Sequence, residues 1–174
     1  MTGKGGFRMP WRRGRLVAPI EHAPPAVQRH IASFRPGPEA VRRARESVAE
    51  HLPAAGVAPG SAFADAVLLV VSELVVNVLR HAPRSPVIDV GITVAAEKLV
   101  VSVADAEPHL PDLNGAGMGA GLRMVAELAA DHNGDVSAEP AVDHDGKVIL
   151  VRFTMPSPGR GHQWTPQESR ETTR

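Results

Sequence analysis

Apolar residues recur at helical spacing between Glu39 and Leu52, where Val41, Ala44, Val48 and Leu52 mark the inner stripe of an amphipathic helix. The pattern changes from Ser61 to His81. There Val67, Leu68, Leu69, Val70, Val71, Leu74, Val75, Val76, Val78 and Leu79 give a helix that is apolar around nearly its whole circumference and therefore largely buried. Ser61 is its predicted N-cap, Asp65 falls in its first turn, and Pro83 ends it. Strict alternation follows: Ile88, Val90, Ile92 and Val94 share one face of a strand over Val87 to Ala95, and a turn at Ala96-Glu97 leads into a second strand, Leu99 to Ala104. A Pro- and Gly-rich loop, Asp105 to Met118, precedes a helix over Ala120 to Ala130. The Asn133-Gly134 turn, a strand Asp135 to Glu139, the Asp145-Gly146 turn and a strand Val148 to Thr154 complete the chain's regular part. Val27 to Phe34 supplies a further strand at its start, closed off by Pro36-Gly37-Pro38.

The order β, α, α, β, β, α, β, β predicts an α+β, two-layer sandwich, with a mixed but mostly antiparallel sheet and its helices on one face. A doubly wound parallel fold would need strict alternation of strand and helix. Residues 26–155 hold the predicted domain. Residues 1–25 are expected to form a disordered arm, basic through Lys4, Arg8, Arg12, Arg13 and Arg15, and residues 156–174, with the isolated Trp164, a disordered tail.

With 174 residues there is room for one such domain and its tails. Apolar residues make up 43% and aromatic ones 3%, so the core is built from Val, Leu and Ala. The absence of cysteine excludes disulfides, thiolate catalysis and sulfur-ligated metal. Nineteen basic residues balance nineteen acidic ones, which argues against direct binding to nucleic acid or a membrane surface and suits protein or small-molecule partners. Ser72, Glu73 and Asn77 interrupt the most apolar stretch, Ala66 to Leu79, so no membrane span is expected. The basic N-terminus has no apolar segment behind it, and a cytoplasmic location is the expectation.

Three features carry candidate chemistry. Glu73, Asn77 and His81, at i, i+4 and i+8, form one polar stripe on the buried helix. A buried carboxylate needs a partner, either a cation with water or a structural arginine such as Arg80. Gly115-Ala-Gly-Met-Gly-Ala-Gly-Leu122 runs into the next helix, where free backbone amides bind anions such as phosphate. A dinucleotide fingerprint does not fit, since Asp105 to Asn114 separates these glycines from the preceding strand, and a P-loop lacks its G-K-[ST]. Asp105, at the end of an apolar strand, is either a turn residue or an acceptor for an exocyclic amine. The eight histidines show no H-x-x-x-H spacing, and Asp143-His144-Asp145-Gly146 reads as a hairpin turn before a metal loop.

Taken in order, Glu73-Leu-Val-Val-Asn77-Val-Leu-Arg-His81-Ala82, then Asp105, then Gly119-Ala-Gly-Leu-Arg-Met-Val125 resemble the N, G1 and G2 boxes of the GHKL ATPases and their Bergerat fold. Within that superfamily the chain is similar to the histidine kinase-like ATP-binding proteins of the anti-sigma factor serine/threonine kinase family, over about residues 27 to 154. The resemblance implies ATP and Mg²⁺ as cofactors, with Asn77 on the metal, Glu73 as the catalytic residue polarising an attacking hydroxyl, and Asp105 on the adenine amine. His81, Gly117, Gly119, Gly121 and Leu122 would complete the nucleotide site. It also implies a sigma factor or an anti-anti-sigma (STAS-type) protein as partner, serine phosphorylation as the reaction, and a tendency to dimerise. Where the family's G1 box is usually Asp-x-Gly, this chain has Asp105-Ala106-Glu107. That carboxylate favours a rival reading, a binding module that regulates its partner without phosphoryl transfer.

Overall fold

The structure is a computed structural model and describes residues 27–113, 117–142 and 145–156. The predicted arm, Gly115, the Asp143-His144 pair and the tail beyond Pro156 lie outside these residues. In chain order the elements are β1 (Val27–Phe34), α1 (Ala40–His51), α2 (Ala62–His81), β2 (Ile88–Ala95), β3 (Lys98–Asp105), α3 (Ala120–Asp131), β4 (Asp135–Pro140) and β5 (Lys147–Thr154), with a short 3-10 turn at Pro53–Ala55. Each predicted element is present, with ends within a residue or two of the expected positions.

The five strands form one sheet in the order β1-β2-β3-β5-β4. All four neighbouring pairs are antiparallel, so the parallel pairing of a mixed sheet does not occur among the described strands. The reason lies in the connections: β2–β3 and β4–β5 are hairpins, and the crossover through α3 carries the chain past one strand position before β5 returns between β3 and β4. The β2–β3 turn is tight enough to hold Ala96 at a φ of 53°, and Met155 N–H donates to the Glu97 carbonyl at 2.8 Å, which ties the end of β5 to that turn.

Register decides which residues meet the helices. Val90, Val103 and Ile149 stand side by side across three strands, as do Ile92, Val101 and Val151, and Leu99 faces Phe153. All of these are buried and form one cluster with Val67, Val70, Val71, Leu74 and Val78 of α2. Burial of each such side chain contributes roughly 1.5–3 kcal/mol. Helix α2 packs between α1 and α3, while α1 contacts β1 and β2, and α3 contacts β4 and β5. Ser61 caps α2 as expected, its hydroxyl accepting from the Ala64 N–H at 3.1 Å, and Asp65 lies in the first turn.

One expectation is corrected. By length and composition alone α2 is long and apolar enough to cross a membrane, its most apolar 18-residue stretch having a mean hydropathy of 2.1 despite Ser72, Glu73 and Asn77. Its place here is the centre of the helical layer, where nine of its residues are buried against the sheet and the other helices.

Candidate functional site

A cavity of about 610 Å³ opens between the C-terminal half of α2, the loop after β3, the start of α3 and the first residue of β5. Small-molecule sites commonly span roughly 300–1,000 Å³, so a nucleotide is within its capacity. Glu73, Asn77 and His81 all line it, as do Gly117, Gly119, Gly121 and Leu122. Seven of the eight candidate site residues, separated by up to 49 positions along the chain, therefore meet at one place.

The polar stripe of α2 faces this cavity because its apolar flanks are consumed elsewhere: Leu74 and Val78 point into the core, leaving the half-buried Glu73 and Asn77 turned toward α3. His81, on the last turn, is exposed beside Arg80. No hydrogen bond or ion pair within the described residues holds the Glu73 carboxylate. Its Oε2 lies 2.7 Å from the position a Cβ on Gly121 would take. A side chain at this position would push the carboxylate out of its place, so glycine lets Glu73 lie against the start of α3.

Helix α3 begins at Gly119, whose extended backbone (φ −61°, ψ 155°) turns the chain into the helix and whose missing side chain leaves the first amides without a cap. Uncapped N–H groups at a helix start carry partial positive charge and suit an anion. Gly119, Ala120, Gly121 and Leu122 all border the cavity. Gly117 accommodates the Asp112 carboxylate, whose Oδ2 is 2.7 Å from where a Cβ would be.

Asp105 has a different position from its companions. It is 3% exposed and does not belong to the cavity wall. Lys147, directly opposite it across the β3–β5 pair, stands there instead and donates to Asp105 Oδ1 at 2.9 Å and to the Glu107 carbonyl at 3.1 Å. The Glu107 N–H donates to the same Oδ1 at 2.8 Å, which turns the chain out of β3. The ion pair extends the core-facing rows of the sheet: Asp105 follows Leu99, Val101 and Val103, and Lys147 precedes Ile149, Val151 and Phe153. Lys147 was not among the residues expected from the sequence. A lysine on the inward parity of a strand otherwise filled by Ile, Val and Phe was the available signal, because such a lysine needs a buried partner.

The wall brings three carboxylates, Glu73, Glu107 and Asp112, against the cationic Arg80 and Lys147, and Lys147 is already paired. A polyphosphate entering this cavity needs a cation of its own. Among the described residues there is no group of three or more His, Asp or Glu side chains that could hold a metal. An Asn77 oxygen beside a carboxylate fits Mg²⁺, which takes one or two protein oxygens and completes its shell with phosphates and water.

The histidine kinase-like ATPase domain family matches residues 34–153. The chain belongs to that family. A search of curated proteins finds no match. Among solved structures, the catalytic domain of histidine kinase ThkA, in a nucleotide-free form, is 16% identical with a TM-score of 0.47, covering 72% of this chain and 97% of that one. The histidine kinase domain of the blue-light-activated kinase from Erythrobacter litoralis EL346 is 21% identical with a TM-score of 0.40. That match covers 53% of this chain and 45% of the kinase chain. As a histidine kinase-like ATPase domain, the protein has ATP as the ligand its family membership supports, and the cavity has the volume to hold a nucleotide.

Proposed function

We propose that this domain binds Mg-ATP and transfers its terminal phosphoryl group to a serine on an anti-anti-sigma, STAS-type partner, thereby regulating a sigma factor in the cytoplasm. The observation that carries this reading is the Glu73 carboxylate, unbonded within the described residues and set against the uncapped start of α3 in the same cavity as Asn77. Phosphoryl transfer needs positioning and charge stabilisation more than covalent chemistry. The N-terminal amides of α3 would receive phosphate oxygens, and Asn77 would hold Mg²⁺, which when bound neutralises charge on the phosphates. Glu73 would orient the serine hydroxyl and accept its proton as the oxygen bonds to phosphorus and the bond to ADP breaks. Arg80 and His81 are exposed and line the cavity, and in this reading they would meet the partner or the phosphates.

A second reading is favoured by the buried Asp105–Lys147 pair and by Glu107: a module whose nucleotide orders the loop after β3 and which acts on its partner without transfer. One variant separates the two. Glu73→Gln keeps shape and hydrogen bonding while removing the base, so ATP affinity should hold or rise while transfer to a serine-bearing STAS protein falls by roughly 10²–10⁴. Calorimetry with Mg-ATP and transfer of labelled phosphate report the two quantities. Transfer at the parent rate would make Glu73 structural.

A further inference from the structure

Helices α1, α2 and α3 cover one face of the sheet, and among the described residues no helix or strand lies over the other. The alternation that points Ile92, Val101 and Val151 into the core points Ile31, Gly91, Ser102, Leu150 and Ser137 outward, as one row across all five strands. Val100, Ala104 and Val148 flank that row. Together with Leu150 they are half-buried and lie outside the core cluster, and Ile31 is 47% exposed. Charge is kept to the margins of this face. Arg29 stands on the edge strand β1, Asp135 and Glu139 on the edge strand β4, and Asp89 and Lys98 near strand ends. Arg152 is drawn over β4 by its bonds to Asp135 and Ser137. Arg29 and Asp135 are the two ends of one row, Arg29-Thr93-Val100-Arg152-Asp135.

We propose that this open face is an interface between two copies of the chain, packed sheet on sheet about a two-fold axis that runs along β3. Such an axis exchanges β1 with β4 and β2 with β5, so the face must complement itself in that sense. It does so in charge, because Arg29 of each copy meets Asp135 of the other. It does so in shape as well. Gly91, without a side chain, and Ser102, whose hydroxyl leans across it, make a low stretch between Ile31 and Leu150, and Leu150 of each copy comes down on Gly91 of the other. Stacked sheets are turned by about 30°, which leaves the match near the axis intact and offsets the rims by about 5 Å, within reach of an arginine side chain. Strand spacing and rise give roughly 500 Å² per copy and roughly 1,000 Å² for the pair, the size at which specific association begins. The cavity lies on the helical side, so the pair presents its two cavities outward.

Sedimentation velocity on the full chain over a range of concentrations measures the association. Leu150→Lys puts a charge at the centre of the interface, on a position that water already reaches, and should raise the dimer dissociation constant at least about 30-fold while the melting temperature holds. Should that variant not fold, crosslinking decides. The chain has no cysteine, so thiols can be placed one at a time. A mixture of Arg29→Cys and Asp135→Cys chains should be joined by a bismaleimide matched to the spacing of stacked sheets, about 10 Å. Either variant alone should not be joined, because its two thiols then stand at opposite rims, roughly 20 Å apart. Dimers that link within each variant and not in the mixture lie on another surface and overturn the proposal. Unchanged association of a folded Leu150→Lys variant overturns it too. A chain that stays monomeric up to millimolar concentration does the same, and assigns the face to the tail at 157–174 or to another protein.

Discussion

Replacing Gly121 by alanine tests whether the approach of α3 to Glu73 matters for function rather than for packing. The added Cβ would sit 2.7 Å from Glu73 Oε2, with only that carboxylate within 4 Å of it. To restore an ordinary contact of 3.4 Å the carboxylate must withdraw by about 0.7 Å, which a half-buried, flexible side chain does at little cost. The backbone gains instead, because alanine in a helix is favoured over glycine by up to about 1 kcal/mol, less in the first turn. The melting temperature should therefore stay level or rise by up to about 4 °C for a chain of this size. Transfer should fall by about 10- to 100-fold, because misplacing a reacting group by about 1 Å costs up to about 10²-fold. Thermal unfolding and phosphate transfer at saturating Mg-ATP measure the two effects on one preparation. Parent-rate transfer by a stably folded Gly121→Ala variant would refute the reasoning, since it would show that the position of Glu73 against α3 has no bearing on the chemistry.

Two further substitutions check the fold that positions the site. Ser61→Ala removes the hydroxyl that caps α2 and should lower stability by about 1 kcal/mol in a chemical denaturation experiment, without altering ATP affinity. Gly134→Ala drives a Cβ into the backbone carbonyl of Arg152 and crowds the Ala129 carbonyl, to which the Gly134 N–H donates at 2.9 Å. Neither is a side chain that can swing away, so the loss should exceed about 3 kcal/mol and appear as a large fall in denaturation midpoint; an unchanged midpoint would show that the α3–β4 turn can be rebuilt at no cost.

The sequence by itself determined the elements, because each depends on local spacing. The nearly all-apolar run from Val67 to Leu79 specifies a helix buried around most of its circumference, and the alternation in Ile88 to Val94 specifies a strand with one face covered. It also made Glu73, Asn77 and His81 one stripe, since i, i+4 and i+8 need nothing beyond the helical repeat. Local spacing holds no information about which strand lies next to which. The insertion of β5 between β3 and β4 is a tertiary choice, and it alone sets Lys147 opposite Asp105. Two residues 42 positions apart thereby become a buried ion pair, and the expected adenine acceptor moves behind a lysine. The same holds for Glu73 and Gly121: the helical repeat assigned each to its own face, and only the packing of α2 on α3 brought carboxylate and helix start together. Periodicity fixes the direction in which a side chain leaves its own element, whereas its partner is set by long-range pairing whose free energy comes from burying the whole core at once.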